Sequence, residues 1–212
     1  MKKNSWLFGL VVCLLAFGFL LTGCDSGGDS GGSGGGSAEL TFSNEQVYTV
    51  NDSDTDITFT PYTGSMAVTS NVGGSGSITN GKFSFTVGEP AYLEGSSDYL
   101  GYDFPTGASV SPADAQAARL FMNNNKLEKG DGSMSGSNIT QENVSYYYFD
   151  KNCTITIPAQ SENGVTSQTT NLNLKQGWNA VCSKIMGSMA TMTGTIEFKT
   201  VDFSYGKWVT TN

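Results

Sequence analysis

From Glu39 onward the chain consists largely of short runs in which every second residue is apolar, broken at intervals by glycine and asparagine. Leu40 and Phe42, Ile57 and Phe59, Phe83, Phe85 and Val87, and later Cys153, Ile155 and Ile157 all keep this spacing. Side chains along a strand point alternately to its two faces, so a period of two marks a strand with one buried face. A helix would bury positions three and four apart instead. Ile78-Thr79-Asn80-Gly81-Lys82-Phe83 places Asn-Gly between two such runs, the signature of a type I′ hairpin. Gly73-Gly74-Ser75-Gly76 and Asn163-Gly164 read as further turns. Tyr146-Tyr147-Tyr148-Phe149 is apolar on both faces and suits a central strand. Lys175-Gln176-Gly177-Trp178-Asn179 reads as a tight turn that presents Trp178. The expected fold is all-β, a single two-sheet sandwich or barrel-like domain.

Three stretches depart from the alternation. Gly88 to Val110 has no clear period, and a loop of that length is either mobile or functional. Ser111-Pro112-Ala113-Asp114 combines an N-cap, a proline at the first helical position and an acid in the first turn. These signals predict one short helix near residues 112–123, ended by Asn123-Asn124-Asn125. Lys129 to Ser137, rich in Gly and Ser, reads as a turn region.

The first 37 residues have a different character. Lys2 and Lys3 precede an apolar run from Trp6 to Leu21, shorter than the roughly 20 residues that span a bilayer. A charged start, a short apolar run and small residues before a cut site make a secretory signal peptide. Leu21-Thr22-Gly23-Cys24 closes the run. This motif resembles the lipobox of bacterial lipoprotein precursors. The resemblance covers residues 1–24 and implies cleavage before Cys24, a diacylglyceryl group on its thiol and acylation of the new N-terminus. Residues 24–37, from Cys24 through DSGGDSGGSGGGS, then form a flexible tether. Residues 38–212 remain for a β-rich domain, long enough for one well-cored unit.

The full chain carries a formal charge of −8, and loss of Lys2 and Lys3 makes it more negative. Between Cys24 and Ala118 the only basic residue is Lys82. That imbalance argues against nucleic acid, which is held largely by Lys and Arg on phosphates. Four cysteines reduce to two on this resemblance, because Cys13 would leave with the signal peptide and Cys24 would be lipidated. Cys153 and Cys182 in an exported protein read as one disulfide joining two C-terminal strands. There is no histidine, which excludes Ser-His-Asp and Cys-His catalysis and His-held zinc or haem.

Candidate chemistry falls in three places. Tyr92, Tyr99, Tyr102 and Phe104, with Asp98 and Asp103, lie within the long aperiodic stretch and would suit stacking and hydrogen bonding to a ligand; pinning of the loop to the core is the other reading. Met186, Met189 and Met192 repeat every third residue and supply soft thioethers suited to Cu(I), or simply adaptable packing. Asp52, Asp54 and Asp56 have calcium-loop spacing, but Ile57 and Thr63 stand where an EF-hand needs Gly and Glu. The carboxylate pairs Asp98/Asp103 and Glu89/Glu94 do not by themselves define glycoside hydrolysis. The combined expectation is a non-enzymatic lipoprotein without a cofactor, in the outer membrane or at the cell surface. Acyl groups on Cys24 would meet the bilayer, and the β domain would meet a protein or glycan. The alternative is a periplasmic binder of a small ligand or of Cu(I) or Ca.

Overall fold

In the computed structural model, residues 35–52, 56–123, 126–162 and 164–210 are described. The strands are β1 (Gly35–Ser37), β2 (Leu40–Asp52), β3 (Ile57–Pro61), β4 (Met66–Val68), β5 (Ser75–Thr79) and β6 (Lys82–Val87). After helix α1 (Ser96–Asp103) come β7 (Ser109–Ser111), β8 (Ala117–Arg119), β9 (Leu127–Ser135) and β10 (Asn138–Phe149). The chain closes with β11 (Cys153–Ile157), β12 (Gln160–Glu162), β13 (Val165–Ser167), β14 (Thr170–Leu174), β15 (Gly177–Ser188), β16 (Thr193–Val201) and β17 (Lys207–Thr210). Among the described residues the fold is mostly β, with two sheets and one short helix, and the large sheet does not close into a barrel.

Strands β10 and β15 form the spine. They pair antiparallel without a break from Asn138↔Ser188 to Phe149↔Gly177. Their alternate residues enter two separate cores. Val144, Tyr146, Tyr148, Trp178, Ala180 and Cys182 face the first, and Tyr147, Phe149 and Val181 face the second. The apolar run at Tyr146–Phe149 is therefore a central strand, as its sequence predicts.

The first core is closed by the large sheet folding over itself. Its order runs β12-β13-β16-β15-β10-β9-β17-β2-β6-β5-β4. Strand β2 makes the fold. Leu40 and Phe42 pair with β6, the register shifts between Phe42 and Glu45, and Val47 to Thr49 pair with β17. Asn44 takes a left-handed φ of 58° at that bulge. An inserted residue bends a strand and raises its twist, so one strand serves both layers. Phe42, Phe83, Tyr146 and Trp208 meet at the centre, with the Phe83 and Trp208 ring centroids 4.5 Å apart.

The second core lies on the other face of the spine. It is covered by the smaller sheet, ordered β14-β11-β7, and by α1. Cys153, Ile155, Ile157, Leu172 and Leu174 point inward, while Thr154, Thr156, Asn171 and Asn173 point out and bond in pairs across the strands.

Four expectations are corrected. The helix is not at residues 112–123 but at Ser96–Asp103, inside the stretch that lacked periodicity. Ser111 pairs with Thr154 in β7, so it cannot serve as an N-cap. Small Ala117 and Ala118 then let β8 pair with Phe149 and Tyr148. Residues 129–137 are not chiefly a turn: β9 runs to Ser135 and pairs with β10 and β17. Its Gly130 marks a close approach, since a Cβ there would stand 2.2 Å from the Glu142 carbonyl oxygen. Trp178 is not presented. The turn before it exists, closed by the Asn179 side chain on Lys175. Trp178 itself is fully buried, with its Nε1 donating to the Gly88 carbonyl at 3.1 Å. Finally, Gly35 and Ser37 pair with Asn179 and Trp178, so the last three residues of the expected tether belong to the fold.

Asn80 and Gly81 have φ of 48° and 75°, as a type I′ turn requires. A Cβ on Gly81 would lie 1.8 Å from the Tyr62 carbonyl oxygen. Gly81→Ala should therefore cost more than about 1 kcal/mol, and Phe149→Ala about 3–5 kcal/mol through the cavity left in the second core. Denaturant titration measures both; losses within experimental scatter would contradict this turn and this packing.

Candidate functional site

The stretch from Tyr92 to Phe104 turns two of its aromatic residues, Tyr99 and Phe104, inward. α1 starts after Gly95 and has Asp98 in its first turn, where a negative charge complements the helix dipole. Tyr99 is buried against Phe149, edge to face at 5.7 Å, and its hydroxyl donates to the Ala115 carbonyl at 3.1 Å. Phe104 packs between Tyr147 and Phe198, both at 5.6 Å. Ser96 Oγ donates to the Ala113 carbonyl. Of the two readings of this stretch, the structure supports pinning to the core: the rings of Tyr99 and Phe104 fill the second core and do not form a ligand-stacking platform. Tyr102 belongs to the same helix, and its side chain lies outside the described residues. Asp98 is exposed, and Tyr92 is 75% exposed on the loop before the helix.

Asp103 is the polar end of this pinned segment. It is buried and accepts from the guanidinium of Arg119, the only arginine in the sequence. Arg119 also donates to Ser145 Oγ at 3.1 Å and lies over the Phe121 ring at 4.6 Å. Burial raises the Asp103 pKa above its ordinary 3.8, against the pull of Arg119. Arg119 gains from its neighbours what burial takes: Tyr147 and Asp103 hold it charged. The pair fastens the C-terminal end of α1 to β8 and the spine.

The methionines sit at one end of the spine. Met186 lies in β15 opposite Thr140 and Thr195. Met189 and Met192 belong to the β15–β16 turn, where Met192 takes a φ of 54° and is 58% exposed. Asp52 ends β2 and Asp56 precedes β3, while Asp54 lies outside the described residues, as does Cys24. Among the described residues, no group of three or more His, Cys, Asp or Glu side chains could hold a metal ion.

The expected disulfide is corrected as well. No disulfide joins Cys153 and Cys182; both are buried. Cys182 faces the first core and Cys153 the second, so the large sheet stands between them. A disulfide needs Cα atoms within about 7 Å and converging Cβ vectors. Burial pushes the Cys153 thiol up to about 11, so it is protonated at neutral pH.

Sequence reading missed the polar cluster at the rim of the first core. Lys129 has no exposed side-chain surface; its Nζ donates to Glu45 at 2.7 Å and to the Phe203 carbonyl at 2.8 Å, between the rings of Phe42 and Trp208. Beside it, the Tyr205 hydroxyl donates to Glu142 at 2.5 Å, and Lys184 pairs with Glu142 at 3.3 Å. The available signal was the spacing of Leu127, Lys129 and Asp131, concealed by Gly130 and Gly132. These contacts pair the charges with one another, and the cluster works as a closure of the core.

No protein-family model matches the chain, and comparison with characterised proteins and with solved structures finds no similar one.

The folded state binds the Asp103 proton more tightly than the unfolded chain does. The stability this group contributes therefore falls as pH rises from 3.8 through its folded value. Unfolding of the wild type relative to Asp103→Asn, followed from about pH 3 to 7, should show that falling difference; a rising one would mean that Arg119 outweighs burial. Cys153 and Cys182 should both react with a thiol reagent in the unfolded, unreduced domain. Recovery of these two thiols only after reduction would contradict their placement in separate cores.

Proposed function

We propose that this chain is an exported lipoprotein, held by acyl groups on Cys24 in the outer membrane or at the cell surface, and that its β domain is a non-enzymatic binding or structural module. The observation that carries this reading is Leu21-Thr22-Gly23-Cys24 directly after a basic start and a short apolar run. A Gly/Ser tether follows, and the folded domain takes up the chain at β1. The inward orientation of Tyr99, Phe104 and Asp103 supports a module that acts through its turns and surface, because the residues most suited to a concave site are used for packing. The acidic composition favours solubility at high density on a membrane over adhesion to anionic lipid.

Metabolic labelling with a clickable fatty acid tests the anchor. The wild-type chain should incorporate the label, and Cys24→Ala should not. An unlabelled wild type, or equal labelling of both, would defeat the proposal.

A further inference from the structure

We propose that Lys129 and Glu45 form a site of intramolecular amide formation, at which the Lys129 amine condenses with the Glu45 side-chain carboxyl and joins β9 to β2 by a covalent bond.

The β2 bulge aims Glu45 at Lys129. Leu40, Phe42 and Val47 face the first core. Strict alternation from Phe42 would turn Asn44 and Gln46 inward and leave Glu45 and Val47 outside. The register shift, with Asn44 at a φ of 58°, reverses this and sets Glu45 opposite the buried Phe83. Bulges that re-aim a side chain recur beside active sites, and strained backbone persists where the surrounding fold enforces it. Lys129 comes from the facing strand. Its side chain has no exposed surface, and its Nζ stands 2.7 Å from Glu45 Oε2. The Phe203 carbonyl accepts from the same nitrogen at 2.8 Å, and the rings of Phe42 and Trp208 flank it at 5.3 and 5.2 Å. Among the described residues, Lys129 is the one buried lysine; the other paired lysines, Lys151, Lys184 and Lys207, keep 27–37% of their side chains exposed.

This setting favours condensation. Burial lowers the Lys129 pKa, although Glu45 opposes the shift. The neutral amine is the form that attacks a carbonyl carbon. A proton passes from Nζ to a Glu45 oxygen, and the amine nitrogen attacks Cδ. The tetrahedral carbon then expels water, which carries the carboxyl oxygen and the amine protons. One C–N bond forms and one C–O bond breaks; nothing is oxidised or reduced, and no co-reactant is needed. Both charges disappear, which removes the desolvation cost of a buried ion pair. Groups held in contact react with effective molarities of order 10⁵–10⁸ M, which offsets the tendency of water to reverse the step. The Glu45 side chain is 28% exposed, so the released water has a way out.

The bond would lie across the last strand. β17 sits between β9 and β2 on the pairs Trp208↔Lys129 and Trp208↔Val47. Joining positions 84 residues apart would close a long loop and constrain the unfolded chain. Cys153 and Cys182, in separate cores, cannot supply such a tie.

The test is a peptide map of the full-length wild-type protein from native envelopes, denatured, digested with chymotrypsin and read by tandem mass spectrometry. Cleavage after Phe42, Tyr48, Leu127 and Met134 releases residues 43–48 and 128–134. In most chains these should appear as one branched species weighing their sum less one water, with fragments that place the link between Lys129 and Glu45. Lys184 and Glu142, which are paired at 3.3 Å and more exposed, should remain unjoined. Lys129→Arg, whose guanidinium keeps its proton, should yield the two peptides separately. Separate recovery of both from the folded wild type would overturn the inference, as would a link from Lys129 to any other residue. The wild-type map alone decides this, so a variant that fails to fold does not weaken the test.

Discussion

The ladder between β10 and β15 is buried on both faces in its half from Val144 to Phe149 and Gly177 to Cys182, and the rest of the chain is arranged by which face it covers. Twelve residues of each strand are in register, and side chains alternate between the first core and the second. A strand with one solvated face needs a single covering layer; one with aromatics on both faces needs two. Tyr146 and Tyr148 require the folded-over β2, β6, β5 and β4. Tyr147 and Phe149 require the small sheet and α1. The ladder also separates the two cysteines, so the element that unites the fold is the one that keeps them apart.

Charge enters this structure at the margins of the cores. Lys129 is fully buried, and burial lowers its pKa while Glu45 opposes that shift. Removing an ammonium from water costs several kcal/mol, which a single close carboxylate and a carbonyl offset only in good geometry. The contacts to Glu45, Phe203 and the two rings supply it, and they draw the 202–206 turn down over the first core. Asp103 and Arg119 do the same for α1 over the second core. Each pair joins segments far apart in the chain, as contacts that set tertiary position must.

The legible parts of the fold are those whose signal is local. Phe83, Phe85 and Val87 alternate, and they line one face of β6; Asn80-Gly81 sits between two runs, and both residues take positive φ. The helix near 112–123 failed because capping signals are weak beside strand pairing: Ala117 and Ala118 gain more by joining β10 than a single short helix could supply. Gly130 suggested a turn because close approach of another backbone leaves no trace in a single sequence. At the candidate site, Tyr99 and Phe104 were visible as aromatic residues in a long irregular stretch, but their direction was not. Arg119 and Lys129 carried no motif, since their partners lie 16 and 84 positions away.

What the sequence by itself determined is the β character, the principal hairpin and the lipobox reading that underlies the proposed anchor, because each depends on residues within a few positions of one another. Only the tertiary structure decided that Trp178 points inward, that Cys153 and Cys182 belong to different cores, and that Gly136, Gly164 and Met189–Met192 share one end of the sheet. These depend on register and on which layer covers which face. Both are set by the sum of many long-range contacts, none of which is strong enough to mark the chain locally.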